Sequence, residues 1–406
     1  MKHLYALLMA AAALTGQAQA QCLMVYEGQV ATAIPATEAY RIAYTDDGKT
    51  LTVGSATFAT AGIDSIVGRD NEVTANLVQV DYTDQRATVT LPVDLRPLLQ
   101  VTASAADVSI VASAALTDEV TYTLAGSAAD GSFFMDGEYK ATLTLNNLTL
   151  TNLRGAAIDI ACGKRIDVKL PEGTHTTLTD AVGGTHSACF FINGHAEFSG
   201  GGKLTLTGRT KHAYASDEYT LLKASTGTIE VLSAVSDGLH IDQYFEMRGG
   251  QVTIDGVGGD CIDVSCTKDA TDELNGQAFM SGGTLVMNVA ADDVKGIKTE
   301  NAFHLSGGTL QATVSGLGTK GISTGTDLTI DSTSGSAPQL RMTVSGTTYM
   351  PGGATLESKC RGIKVKGNFT FDGGDIYMEV TGSKAKGISV DGLFNYKSGT
   401  SNVFPE

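Results

Sequence analysis

A short motif that recurs through the second half of this chain constrains its fold more than any other feature. It consists of a charged residue, a glycine, and an isoleucine or leucine, and it stands at residues 237–239, 295–297, 320–322, 361–363 and 386–388. Residues 260–262 repeat it with Cys261 in the place of the glycine. The steps between the central residues are 23, 35, 25, 41 and 25. The unit is therefore about 25 residues long, with two insertions.

The apolar residues inside each unit alternate with a period of two, which is typical of β-strands. Leu285, Met287 and Val289 are an example, and they follow a second motif, Ser-Gly-Gly-Thr, at residues 281–284. A unit of this length is too short for a crossover helix or for a four-stranded propeller blade of about 40 residues. We therefore predict an all-β protein, a right-handed parallel β-helix of roughly ten coils over residues 116–406.

Residues 21–115 lack the motif but alternate like strands, so we predict a small N-terminal β domain or a cap for the first coil. Residues 1–20 have the basic start, apolar run and Ala-x-Ala end of a signal peptide. We expect an exported protein in the periplasm, at the cell surface or outside the cell. Lipid attachment at Cys22 is left open, because Gln21 precedes it where a lipoprotein has a small residue. No transmembrane segment is expected.

The formal net charge of −16 disfavours nucleic acid as a partner. The residue before each motif glycine should nevertheless form a column on the helix surface, in which the charge changes sign halfway. We call it the motif column, and it comprises His212, Asp237, Asp260, Lys295, Lys320, Arg361 and Lys386.

Four cations in such a column repel one another unless something offsets their charge. One hypothesis is neutralisation by nearby carboxylates, namely those of Asp292, Asp293 and Glu357. The other is an anion groove for uronate or sulfate groups of a glycan, in which the outward Lys298 and Lys364 join Lys295, Lys320, Arg361 and Lys386.

Two further sets of side chains are candidate ligands. Asp237, Asp260, Asp263 and Asp242 lie on adjacent coils, and converging carboxylates are what Ca²⁺ binds, so they form a candidate calcium site. The alternative is a solvated acidic surface. Tyr244 and Tyr377 should point outward, and in a chain without tryptophan they are the candidate platforms for a sugar ring. Their alternative role is cross-strand packing.

The chain resembles a bacterial family of secreted carbohydrate-binding-domain proteins, right-handed β-helices related in architecture to polysaccharide lyases. The resemblance covers most of residues 116–406 and is carried by residues 131–137, 156–158, 211–213, 235–239 and the Ser-Gly-Gly-Thr repeats. It implies polysaccharide binding, with cellulose or pectin-like chains as ligands, and calcium held by acidic turn residues. Members tend to carry Asp before the Gly-Ile pair, and the later cations here depart from that pattern.

We therefore expect a non-catalytic polysaccharide-binding protein that recognises acidic or plant cell-wall glycans, with assistance from calcium. The enzymatic alternative is a lyase acting on uronate-containing glycans, although the H-E-x-x-H motif and the P-loop are absent. The third alternative is a structural or adhesive cell-surface protein. The sugar, the disulfide pairing and the oligomeric state stay open.

Overall fold

The computed structural model describes residues 21–267, 271–350, 352 and 355–405. The predicted signal peptide lies outside these residues. The described chain is built almost entirely of strands, as predicted, and they form a parallel β-helix. None of its helices has the length and apolar character needed to cross a membrane.

Sheet I contains the glycine motifs. It has twelve strands, of which Leu99–Ser104 pairs antiparallel with its neighbour and the others pair in parallel. The parallel strands of sheet I are Ala106–Ala112, Gly131–Asp136, Ile158–Ile160, Ala188–Ile192, His212–Ser216, Leu239–Ile241, Ile262–Val264, Lys295–Thr299, Lys320–Thr324, Arg361–Val365 and Lys386–Val390.

Each coil continues from sheet I into two further columns of strands. Sheet II contains Ile166–Lys169, Ala196–Ser199, Thr220–Leu222, Tyr244–Met247, Gln277–Met280, Phe303–Leu305 and Leu328–Asp331. Sheet III contains His175–Thr179, Lys203–Gly208, Thr228–Ala234, Gln251–Ile254, Thr284–Val289, Thr309–Val314 and Gln339–Val344. Four long strands run through both columns and join them into one hydrogen-bonded sheet: Val120–Ala128, Ala141–Thr151, Phe369–Val380 and Phe394–Pro405.

The inward side chains of the three sheets form one continuous core. It extends from Val78 to Val380. Leu285, Met287 and Val289 are buried, as their spacing predicts, and they lie in register with Leu310, Ala312 and Val314 of the next coil. A single coil has no partner for its inner face, so each coil is stabilised by its neighbours.

The N-terminal strands are Cys22–Glu27, Val30–Pro35, Ile42–Tyr44, Thr50–Val53, Ala56–Ala59, Ser65–Arg69, Leu77–Asp84 and Arg86–Pro92, with one short helix, Ala36–Ala39, and 3-10 turns at Thr60–Gly62 and Val93–Leu95. Part of this segment has its own small core, which includes Leu23, Leu51 and Phe58. Leu77–Asp84 pairs in parallel with Val120–Ala128. Hydrogen bonding therefore crosses the boundary predicted at residue 115, and the division into two domains stays a prediction.

Candidate functional site

Two columns of mostly polar side chains run along the outer side of sheet I. The motif column is in register, since Lys295 lies beside Lys320, Lys320 beside Arg361, and Arg361 beside Lys386. We call the second one the outer column. In chain order it comprises Asp159, Phe191, Ala215, His240, Asp263, Lys298, Ser323, Lys364 and Ser389.

Where the two columns are acidic, they form a compact group that we call the His–Asp cluster: His212, Asp237, His240, Asp242 and Asp263. Asp237 Oδ2 lies 3.1 Å from His212 Nδ1 and 3.3 Å from His240 Nδ1. His240 Nδ1 is also 3.2 Å from Asp263 Oδ2, and its Nε2 is 3.4 Å from Asp242 Oδ1. The two imidazole rings are stacked, with centroids 4.4 Å apart and planes 13° from parallel.

The charged groups of the cluster lie close together and are largely buried. The carboxylates of Asp237, Asp242 and Asp263 raise the pKa of His240 to about 11. Burial lowers the pKa of His212. Burial opposes ionisation of Asp237, but hydrogen bonds from His212 and His240 outweigh it and hold the pKa of Asp237 well below its usual range. Within this group, the imidazolium of His240 is the charge that offsets the carboxylates.

The structure brings together three of the four predicted calcium ligands, Asp237, Asp242 and Asp263, around His240. The fourth, Asp260, faces the backbone, because its Oδ1 accepts a hydrogen bond from the Lys295 N–H at 2.7 Å. Burial raises the pKa of Asp260 to about 6. The donor set of the cluster thus contains imidazole nitrogens that the acidic pattern did not predict, and calcium binding stays a prediction.

Most of the predicted anion-binding cations have internal partners. Lys298 Nζ is 2.9 Å from Asp263 Oδ1, and Lys364 forms an ion pair with Asp391. Lys320 Nζ lies 3.2 Å from Asp293 Oδ1 and donates a hydrogen bond to Ser358 Oγ. Lysines held in this way are less available to an anionic ligand, because the ligand has to displace a carboxylate.

The remaining cations differ in exposure. Lys295 Nζ donates to the Asp293 carbonyl at 2.8 Å. The Arg361 side chain is buried and donates to the Cys360 carbonyl, and burial lowers its pKa. Lys386 is exposed. Of the three carboxylates expected to neutralise the column, Asp293 does so, whereas Glu357 is paired with Lys384 and Asp292 accepts the Leu317 N–H.

A polar cleft of about 580 Å³ opens beside the His–Asp cluster, where the chain turns from sheet I to sheet II. Asp242 belongs to the His–Asp cluster and also lines the cleft. The lining residues come from three successive turns and from the insertion after residue 264: Asn193, His195, Asp217, Glu218, Asp242, Gln243, Cys266, Thr267 and Asp272. Carboxylates outnumber cations in this lining, so the cleft suits hydroxyl donors better than anions.

A stack of rings flanks the cleft. His195 lies on Tyr219 with centroids 4.4 Å apart, and Tyr219 lies on Tyr244 with centroids 4.8 Å apart and planes 18° from parallel. Tyr244 therefore points outward, as predicted, but one of its faces is covered by Tyr219. Tyr377 packs against Phe404, with centroids 5.6 Å apart, and donates a hydrogen bond to Glu379.

Sequence reasoning did not select His240, His195 or Tyr219. His240 follows the motif at residues 237–239 directly, so the alternation of the strand places it outward beside Asp263. Tyr219 directly precedes the strand Thr220–Leu222 and is in register with Tyr244 of the next coil. That register was the available signal for an aromatic column. All six cysteines are free, and Cys266 is the exposed one.

The fold and this polar outer surface define the class of the protein, a parallel β-helix with columns of mostly polar side chains along the outer side of one sheet. A model of the family described as carbohydrate-binding domain-containing protein matches residues 110–395. The chain belongs to that family.

Two known proteins are similar to the chain. A carbohydrate-binding domain-containing protein of Acetivibrio thermocellus is 26% identical over 126 residues, which is 29% of this chain and 43% of that protein. The match thus spans less than half of the relative's length. A solved structure of a polysaccharide lyase-like protein from C. thermocellum, a gadolinium derivative, covers 77% of this chain and 99% of its own, with 17% identity and a TM-score of 0.47.

Proposed function

We propose that this chain is an exported, non-catalytic polysaccharide-binding protein whose glycan lies in the cleft between sheets I and II. The observation that carries the proposal is the cleft itself, in a chain whose family is defined by carbohydrate binding. Its carboxylates and amides are acceptors and donors for sugar hydroxyls, and the flanking ring stack adds apolar contact area. Because parallel coils continue on both sides, an extended chain has room to lie along the turns.

The charge of the cleft favours a neutral glycan. Asp217, Glu218, Asp242 and Asp272 all line it, and an anionic sugar brought beside them would meet repulsion. A neutral plant cell-wall glycan, which sequence reasoning included among the ligands, fits this lining.

Acidic glycans are the second candidate, and the motif column favours them. Lys320 and Arg361 lie side by side, and burial together with Lys295 and Arg361 lowers the pKa of Lys320. A uronate carboxylate near the exposed Lys386 would relieve part of this repulsion.

Affinity electrophoresis of the full chain in gels that contain a neutral β-glucan or polygalacturonate distinguishes the two candidates. We expect retardation by the neutral glucan, weakened about tenfold in His195→Ala, which corresponds to about 1.4 kcal/mol. His304→Ala is the matched control, because His304 is a surface histidine of sheet II that pairs with Asp331 away from the cleft. Retardation by polygalacturonate alone, lost in Lys320→Ala plus Lys386→Ala, would select the motif column instead.

Lyase activity and a purely structural role are tested separately. A lyase that acts on uronate chains creates unsaturated products that absorb in the ultraviolet, and we expect no such absorbance with a panel of acidic glycans. A structural or adhesive protein would give no retardation by any glycan and would bind cells or protein instead.

A further inference from the structure

We infer that His212, Asp237 and His240 form a binding site for a divalent transition metal ion of the Zn²⁺ type. The three side chains come from two neighbouring coils of sheet I: His212 from the strand His212–Ser216, and Asp237 and His240 from the next coil, before and within the strand Leu239–Ile241. One ligand atom of each lies within 4.8 Å of the other two. This site is separate from the proposed glycan cleft and shares only its neighbour Asp242 with it.

The distances between the imidazole nitrogens and the carboxylate oxygens agree with tetrahedral coordination. A tetrahedral ion with bonds of about 2.0 Å has its ligands about 3.3 Å apart. Asp237 Oδ2 lies 3.1 Å from His212 Nδ1 and 3.3 Å from His240 Nδ1, and Asp263 Oδ2 lies 3.2 Å from His240 Nδ1. Both Nδ1 atoms lie near the Asp237 carboxylate, and His212 Nδ1 also accepts the Asp237 N–H at 3.3 Å. Because the two rings are nearly parallel, they must turn before one ion can lie in the planes of both.

The burial and the hydrogen bonding of the two histidines also support the site. His212 is 2% exposed, and its Nδ1 faces the cluster. His240 Nδ1 is buried and makes no well-aligned hydrogen bond, although the carboxylates of Asp237 and Asp263 lie near it. Coordination at His240 Nδ1 would give that atom a partner. An ion bound there would replace the imidazole proton and lie between the carboxylates of Asp237 and Asp263.

Side chains and backbone groups next to His240 and Asp237 contact these proposed ligands and orient them. His240 Nε2 lies 3.4 Å from Asp242 Oδ1, which is the carboxylate contact that metal-binding histidines commonly have at their other nitrogen. Asp237 Oδ1 accepts the Asp260 N–H at 2.8 Å, so its Oδ2 is the oxygen left for the imidazoles. The carboxylates around His240 outnumber the cations, and a dication would offset part of that charge.

The donor chemistry selects the class of ion. Two imidazole nitrogens with carboxylate oxygens suit Zn²⁺ and its first-row neighbours. Calcium takes six to eight oxygens and does not favour nitrogen ligands. The cluster therefore fits a transition metal better than the calcium predicted from the acidic residues alone.

Calorimetric titration of the chelator-treated full chain with Zn²⁺, and separately with Ca²⁺, tests the inference. We expect one Zn²⁺ per chain, with an affinity at least about 100-fold lower in His240→Gln and unchanged in His304→Gln. The second variant is matched, because it removes another outward histidine that contacts an aspartate. Binding of Ca²⁺ without Zn²⁺, no binding of Zn²⁺, or equal losses in both variants would overturn the site.

A second measurement uses the unaltered chain, so its outcome does not depend on whether His240→Gln folds. Titration of the unaltered chain with Co²⁺ should produce the intense visible absorption of a tetrahedral N/O site, and Zn²⁺ should remove it. Weak absorption typical of octahedral Co²⁺ would contradict the proposed geometry. Both measurements use the metal alone, so their outcome is independent of whether the chain binds a polysaccharide.

Discussion

At the scale of single residues, the motif glycines allow successive coils to approach each other. A Cβ at Gly296 would lie 2.4 Å from the carbonyl oxygen of Gly321, and a Cβ at Gly321 would lie 2.7 Å from that of Gly362. Real Cβ atoms do not come this close to a carbonyl oxygen. At Gly296 and Gly321 the backbone of the next coil occupies the space that a side chain would need, whereas the stack accommodates Cys261 at the same place in an earlier coil.

Substitution of a motif glycine should therefore loosen the stack. We expect Gly296→Ala to destabilise the chain by about 1–3 kcal/mol, because the carbonyl of Gly321 and the side chains of Met287 and Val289 must shift to admit a methyl group. The shift of the denaturant midpoint measures the effect.

Gly201→Ala is the control, since the atom nearest to its Cβ would be Glu172 Cγ at 3.5 Å, an ordinary contact. It should change stability by no more than about 0.5 kcal/mol. Equal effects of the two substitutions would mean that coil spacing does not depend on the motif glycine.

The side-chain contacts of the candidate site were less predictable from the sequence than the spacing between coils. The motif itself sets the register, so the sequence could place Asp237 beside Asp260 and Lys295 beside Lys320. It could not show that Asp260 turns to the backbone N–H of Lys295 or that Ser358 of an insertion covers Lys320. Those features depend on side-chain rotamers and on the path of insertions, which no repeating pattern encodes.

At the scale of elements, the turns between sheets III and I are held by buried polar side chains. Asp180 follows the strand His175–Thr179 and is 1% exposed. Its Oδ1 accepts the Arg209 N–H at 2.5 Å, and its Oδ2 accepts the Thr210 N–H at 3.2 Å. These two donors belong to the same turn one coil later, so one carboxylate joins two coils.

We expect Asp180→Ala to cost about 1–3 kcal/mol, because it leaves two backbone N–H groups of a partly buried turn without their acceptor. Thermal and denaturant unfolding monitored by circular dichroism should both show the loss. Asp118→Ala, at an exposed position, should leave the unfolding transition unchanged. A stability loss as small as that of the control would show that water replaces the carboxylate in this turn.

The elements themselves were largely predictable, because alternation with a period of two marks a strand and the 25-residue step marks its partner. The pairing of Leu77–Asp84 with Val120–Ala128 was not predictable in this way. Val78, Val80 and Tyr82 alternate like any half-buried strand, and no glycine motif accompanies them to identify a parallel partner. The start of the stack was therefore placed later in the sequence than the first parallel pair.

At the scale of the whole molecule, the stack differs between its centre and its last coil. Phe303, Leu328, Phe369 and Phe394 occupy one inward column of sheet II and its continuation. The first three are at most 2% exposed, whereas Phe394 is 50% exposed, because within the described residues it contacts a coil on one side alone. Stability in such arrays depends on nearest-neighbour interfaces, so a coil with one neighbour is held less firmly than a central coil.

Amide hydrogen exchange should reveal this gradient. We expect amides of Lys386–Val390 and Phe394–Pro405 to exchange at least about tenfold faster than those of Lys295–Thr299 and Thr309–Val314, because their coil opens without the rest of the stack. In Phe394→Ala plus Tyr396→Ala the faster exchange should extend to Arg361–Val365, the neighbouring strand of sheet I that loses a firmly packed partner, while Leu77–Asp84 keeps its protection. Uniform exchange along the chain, unaffected by the double substitution, would mean that the coils unfold together and that nearest-neighbour interfaces do not govern the stack.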